Sequence, residues 1–300
     1  MASALPLWRS LLYVPVNVEK YVDKAHTRGA DCVQLDLEDS VPEAEKEDAR
    51  LLVQSAAARV RRGGAAAIVR INRPLSMAVR DIEASVNEGV NGLAITKVAG
   101  PDHIRLLDEL VSELEVRRGL PLGHTRFIAM IETPTAFFEM PAIAVSSGRL
   151  VGMNIGGEDF ATEVGMEPIE ETLLMPKQQM ILAARAAGLM PLGFIGSVAS
   201  FGDWDAFRAM VRRSRRFGFM GASCIHPGQV PIVNEEFSPS PAEVALATRI
   251  VDEAAAAEAS GRGSFAIEGN MIDVPVVRRA QQLLERHAVI QAREANAARS

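Results

Sequence analysis

Carboxylates recur where apolar runs end. Asp36, Glu38 and Asp39 stand within Leu35–Ser40 (LDLEDS), Glu132 closes the run FIAMIE, and Glu158 and Asp159 follow the pair Gly156-Gly157. Two basic residues also interrupt apolar runs: Arg70 in AIVRI, followed by Asn72, and Lys97 after GLAIT. Acidic residues are depleted in strands, and a lone arginine there needs a partner or a function. Oxygen ligands grouped beside one guanidinium suit a hard divalent cation and an anionic substrate. Glu132 and Asp159 are the expected metal ligands, since magnesium takes one or two protein carboxylates and completes its octahedron with water and substrate oxygens. Gly156-Gly157 lets backbone approach a ligand closely. Each acid also has a plainer role: Glu132 would cap the helix that Thr133-Pro134 opens, and Asp159 the next helix.

Alternation puts Asp36 and Glu38 on one face, and acids this close raise one another's pKa unless a cation intervenes. Asp39 is predicted to cap the helix opening near Pro42, and Glu38 to hold metal-bound water. Arg70 suits a bidentate clamp on a carboxylate or developing oxyanion, compatible with a salt bridge to Asp36 or Glu38. Lys97 is either a Schiff-base amine or an ion-pairing lysine. His226, before Pro227-Gly228, reads as a structural hydrogen-bonding residue at a turn. Ser197 completes the polar residues expected at strand ends.

These residues need a scaffold that brings strand ends together. Strands are predicted at Ser10–Val16, Cys32–Leu37, Ala67–Ile71, Gly92–Val98, Arg126–Ile131, Leu150–Ile155, Pro191–Ile195 and Ala222–Ile225, each followed by a helical pattern. Repeated strand–helix units require parallel strands, because each helix returns the chain to the same end of the sheet. Eight such units predict an α/β fold, a (β/α)8 TIM barrel, with its active site at the C-terminal strand ends. No glycine-rich turn after the first strand supports an open doubly wound sheet. The barrel is expected over residues 1–260. A C-terminal segment, 261–300, starts at the glycines of Gly261–Gly263, is too short for its own core, and contains a helix of about Val276–His287.

The chain has 300 residues, 48% of them hydrophobic, and a formal net charge of -6, with no basic footprint for nucleic acid. No stretch approaches the roughly 20 apolar residues of a membrane span. Cys32 and Cys224 lie in apolar runs and read as buried reduced thiols, which fits a cytoplasmic protein.

Arg9–Pro15 (RSLLYVP), LDLEDS, Val69–Asn72 (VRIN), Ile131–Pro134 (IETP), Gly157–Phe160 (GEDF), Ile225–Pro227 (IHP) and Met271–Val277 (MIDVPVV) occur in this order. Together they resemble the citrate lyase β-subunit-like proteins of the wider HpcH/HpaI aldolase group, which includes malyl-CoA lyases. The resemblance runs from about Arg9 to Arg286. It implies Mg2+ on Glu132 and Asp159, and a 2-oxo acid contacting Arg70 and Pro134. It also implies cleavage or formation of citryl- or malyl-type thioesters. The partner would be an acyl-CoA or acyl-carrier thioester. Asp273 would sit on a helical lid closing over a neighbouring subunit's site as acid/base, in a homotrimer or homohexamer. One departure stands out: the family's Arg-Pro-x-Lys after the first strand is absent, and Lys20 alone remains as a phosphate contact. The rival activities are an aldolase on free 4-hydroxy-2-oxo acids and an inactive barrel subunit or binding protein.

Overall fold

The computed structural model describes residues 5–196, 202–259, 265–267 and 270–297; Ser197 and the glycines at 261 and 263 lie outside them. The chain forms two compact units, Met1–Phe237 and Ser238–Ser300.

In the first unit, β1 (Ser10–Pro15), α1 (Glu19–Ala25), β2 (Cys32–Asp36), α2 (Lys46–Val60), β3 (Ala66–Ile71), α3 (Leu75–Ser85), β4 (Gly92–Ile95), α4 (Pro101–Arg117) and β5 (Arg126–Ile131) follow in order. Then come α5 (Pro134–Phe138), α6 (Met140–Ala144), β6 (Leu150–Ile155), α7 (Gly157–Val164), α8 (Glu170–Ala186), β7 (Met190–Pro191), α9 (Trp204–Phe217), β8 (Ala222–Cys224) and α10 (Gln229–Glu236). The eight strands form one curled parallel sheet in the order β7-β6-β5-β4-β3-β2-β1-β8. An isolated parallel bridge, Leu192↔Gly221, links the two ends of that order.

Strand alternation sorts the side chains. Leu11, Cys32, Ile68, Ala94, Ile128 and Val151 form one buried cluster inside the curl. Leu12, Val33, Val69, Leu93, Phe127 and Ile155 point the other way, into a larger core beneath the helices. Two residues further along, the inward positions become polar: Tyr13, Gln34 and Arg70, then Asp36 and Glu132. On β1, β2, β3 and β5 one face therefore carries both the apolar plug and the polar mouth above it.

Several boundaries differ from those the sequence predicts. β4 stops at Ile95, because Lys97 adopts φ 45°, a left-handed conformation that an extended strand cannot accommodate. β7 is reduced to two residues, with Gly193 beyond it at φ 129°. α2 begins at Lys46, after a 3-10 turn at Glu43–Glu45.

The second unit contains α11 (Pro241–Ala259), an antiparallel pair of β9 (Phe265–Ile267) and β10 (Asn270–Ile272), and α12 (Val274–Ala297). Ala247 and Ile250 of α11 share a core with Ile267, Ile272 and Ala280. The compact unit starts at Ser238, ahead of the division at 260/261 expected from the glycines, with Ala247 and Ile250 of α11 inside its core. α12 also runs well past His287, since no Gly or Pro follows Pro275 to stop it. Among the described residues no helix is long and apolar enough to cross a membrane.

Candidate active site

A cavity of about 860 Å³ opens at the C-terminal ends of the strands in the first unit, lined by Asp36, Arg70, Glu132, Asn154, Asp159 and Lys177 among others. Strand register pairs Asp36 with Arg70 on adjacent β2 and β3. Arg70 donates from Nε and Nη2 to the two Asp36 oxygens, both at 2.7 Å, and its Nη1 lies 2.8 Å from Glu38 Oε2. Burial pushes the Asp36 carboxyl up, but the hydrogen bonds and charge of Arg70 outweigh it, and Ser40 adds another donor, so Asp36 is held below the usual carboxylate range. The bidentate face of the fork is thus spent on Asp36. The N–H groups of Nη1 and Nη2 that are not given to Asp36 or Asp39 are what remain for a substrate oxygen. Tyr13 lies under the guanidinium at 4.8 Å, and burial pushes its hydroxyl up to about 12.

Lys97 donates from Nζ to Glu38 Oε1 at 2.8 Å and lies 3.5 Å from Asp159 Oδ1. Burial lowers its pKa, but the hydrogen bond and charge of Glu38, together with the charges of Glu132 and Asp159, outweigh it, so the amine is held charged. That favours the ion-pairing lysine over the Schiff-base amine. Its left-handed backbone turns the Lys97 N–H onto Glu132 Oε2 at 2.5 Å. Asp39 is not a cap: neither the 3-10 turn nor α2 has a side-chain cap, and Asp39 reaches Arg70 Nη1 at 3.4 Å instead. Asp36 absorbs the local donors, taking the Glu38 N–H and both donors of Ser40.

Glu132 is 2% exposed, and among the described residues no cationic side chain lies within ion-pair distance of it. The capping role falls to Thr133, whose Oγ1 accepts the Ala136 N–H. α7 likewise has no side-chain cap, with Asp159 in its first turn. Burial, reinforced by the charges of Asp159 and Glu38, pushes the Glu132 carboxyl up to about 7. Gly156 leaves the room for this carboxylate: a Cβ there would sit 2.4 Å from Glu132 Oε1. Asn154 contributes a buried Oδ1 with no partner. No group of three or more His, Cys, Asp or Glu gathers as metal ligands among the described residues, but one or two carboxylates are what magnesium requires.

Not every expected residue reaches the cavity. Pro134 opens α5 and does not line it, and Glu38 sits behind Arg70 and Lys97. Lys20 lies 5.0 Å over the Tyr21 ring, outside the lining, whereas Lys24 and Arg28 line the wall. His226 accepts the Gly228 N–H at Nδ1, as a turn residue would, and also lines the cavity. In the second unit Asp273 caps α12: its carboxylate accepts the Val276 N–H at 3.3 Å. Sequence reasoning missed Asn154, Tyr13 and Lys177. For Lys177 a signal existed, since Leu173, Lys177, Met180 and Ile181 share helical spacing and a lysine occupies a core position in that stripe.

The family model for HpcH/HpaI aldolase/citrate lyase matches residues 9–227. The chain belongs to this family. Citrate lyase subunit beta from Leuconostoc mesenteroides subsp. cremoris is 32% identical over 93% of each chain. (3S)-malyl-CoA thioesterase from Cereibacter sphaeroides is 33% identical over 97% of this chain and 99% of its own. Among solved structures, protein CitE from Mycobacterium tuberculosis, in complex with magnesium, acetoacetate and coenzyme A, is 28% identical, with a TM-score of 0.72 over 96% of this chain and 100% of that one. As a member of the HpcH/HpaI aldolase/citrate lyase family, the protein is a carbon–carbon lyase.

Proposed function

We propose that this lyase is a magnesium-dependent (β/α)8 barrel that cleaves or forms a 3-hydroxy-acyl thioester of citryl or malyl type, giving an acetyl thioester and a 2-oxo acid. The observation that carries this reading is Glu132: a buried carboxylate, cradled against Gly156, with no cationic partner among the described residues and with Asp159 as its neighbour. A buried anion in that state calls for a cation. Glu132 and Asp159 would hold magnesium, and Asn154 Oδ1 is a further unpartnered oxygen in the same cavity. Bound there, magnesium would supply Lewis acidity to the substrate's hydroxyl oxygen, which becomes the carbonyl oxygen of the oxo acid when the carbon–carbon bond breaks.

The chain's own residues do the rest. Arg70, fixed by Asp36 and Glu38, presents its remaining N–H groups to the oxo acid without reorganising. Lys97 holds Glu38 and the Glu132 carboxylate in place through Nζ and its backbone N–H. Asp273, supplied from a neighbouring subunit on the C-terminal segment, would return a proton to the acetyl carbon. That assignment makes the enzyme a homotrimer or homohexamer with a shared site. Lys24 and Arg28 on the cavity wall favour a thioester with an anionic carrier over a free hydroxy acid, since they restore cationic partners where the Arg-Pro-x-Lys pattern is missing.

Calorimetric titration tests the reading: magnesium first, then oxaloacetate, glyoxylate and pyruvate, each with and without acetyl-CoA. Magnesium-dependent binding of an oxo acid, strengthened by acetyl-CoA, is expected. Binding that ignores magnesium would reject the metal assignment, and indifference to acetyl-CoA would favour the aldolase acting on free acids.

A further inference from the structure

Lys177 stands apart from the other basic residues of the cavity. Lys24 and Arg28 are exposed on its wall, and Arg70 is matched by Asp36 and Glu38. Lys177 is 5% exposed, lines the cavity, and has no carboxylate within ion-pair distance among the described residues. Its Nζ donates to the Gly196 carbonyl at 2.8 Å and lies 3.5 Å from that of Ile195. Among the described residues these two carbonyls are its only hydrogen-bond partners, which leaves at least one N–H of the ammonium unused. The position also matters: a Cβ on Gly157 would sit 3.7 Å from Nζ, so the amine adjoins the Gly156-Gly157 turn that leads into Asp159. Arg70 and Lys97 flank the proposed metal site from β3 and β4. Lys177 flanks it from the β6 and β7 side.

A buried ammonium without a counter-ion is expensive to keep. Burial accordingly pulls the pKa of Lys177 down to about 8, with Glu158 and Glu170 only partly opposing it. An arrangement of this kind is completed by an anionic ligand group that arrives with the substrate. We propose that Lys177 anchors the second carboxylate of a dicarboxylic 2-oxo acid, so that the site selects a product of the oxaloacetate type over monocarboxylic pyruvate. This inference rests on the proposed lyase site, with the first carboxylate and the oxo group directed at Glu132, Asp159 and Arg70.

The test compares oxaloacetate and pyruvate by calorimetry with magnesium present, on the full-length protein and on Lys177→Met. The wild type is expected to bind oxaloacetate more tightly, and Lys177→Met to lose that margin. Losing a charged hydrogen bond should weaken oxaloacetate roughly ten- to a hundredfold, with pyruvate held within about threefold. Pyruvate is the internal control: if Lys177 only tethers the Gly196 carbonyl, both acids weaken together, and the inference fails. It also fails if neither weakens. Lys177→Gln keeps a donor for Gly196 while removing the charge, and should reproduce the selective loss should the Met variant not fold. If the wild type binds neither acid with magnesium, the lyase site itself is wrong, and the anchor falls with it.

Discussion

At the N-terminal end of β1, Arg9 gives Nε and Nη2 to the two oxygens of buried Asp31, and just before β6, Arg149 gives Nη1 and Nη2 to the two oxygens of Glu115. At the C-terminal ends, Glu132 receives one backbone N–H, a partial attraction from the Lys97 charge and repulsion from two other acids, and Lys177 lies buried with no counter-ion within ion-pair distance among the described residues. The first arrangement is electrostatically complete: burial pushes the Glu115 carboxyl up, but Arg149 and two backbone donors hold it below the usual range. The second has no such pairing among the described residues, and under the proposed function a cation and an anion complete it. Buried charges closed by their own partners hold a fold together, and buried charges left open imply a ligand.

The contrast can be broken most severely at Glu132 and Asp159. Glu132→Gln and Asp159→Asn should each abolish magnesium-dependent oxo-acid binding by calorimetry while leaving the far-UV circular dichroism unchanged. Normal binding by both variants would make the open end as structural as the closed one. Asp273→Asn should keep magnesium and oxo-acid binding yet lose turnover, and mixing it with Glu132→Gln under subunit exchange should recover some activity. No recovery despite demonstrated exchange would leave Asp273 as the cap of α12. Arg70→Lys should lower turnover roughly ten- to a thousandfold, since an ammonium cannot both satisfy Asp36 in bidentate fashion and face the substrate; turnover within twofold of wild type would make Arg70 purely an ion pair.

The closed end answers to stability instead. Arg149→Met strands Glu115 in the interior, and a loss of about 3–5 kcal/mol in denaturant unfolding is expected, with magnesium affinity unchanged. The smallest effect is a pH dependence. The folded Glu132 carboxyl titrates at about 7, above its ordinary value, so the folded state binds the extra proton between those limits. Its contribution to stability is therefore full below about 4.3 and is lost as pH rises through about 7. Magnesium should offset that loss, raising the melting temperature more at pH 8 than at pH 5.5. Equal shifts at the two pH values would separate Glu132 from the metal.

Much of the first unit could be read from local pattern. β5 and β6 fall where their apolar runs begin and end, because Arg126 and Glu132 bracket one and Gly156-Gly157 follows the other. Elsewhere local pattern misled. Asp39 looks like a cap because Asp-Ser precedes a proline, but Asp36 sits deeper and captures the donors of Ser40 first. Gly261–Gly263 looks like a boundary, but the apolar stripe of α11 matches that of α12, so the compact unit begins earlier.

The sequence by itself determined which residues face inward, since a period of two along each strand places Arg70, Asp36 and Glu132 on the same side as the apolar plug. It also determined the family, through motifs in order along the chain. Only the tertiary structure decided which of those charges cancel. Asp36 and Arg70 meet through the register of β2 on β3, and the Lys97 N–H finds Glu132 because of one left-handed residue. Among the described residues Lys177 ends without a carboxylate partner, because α8 buries it against the backbone of Gly196. Whether a charge is paired depends on distances across strands and helices far apart in the chain, and residue type and spacing do not encode those distances.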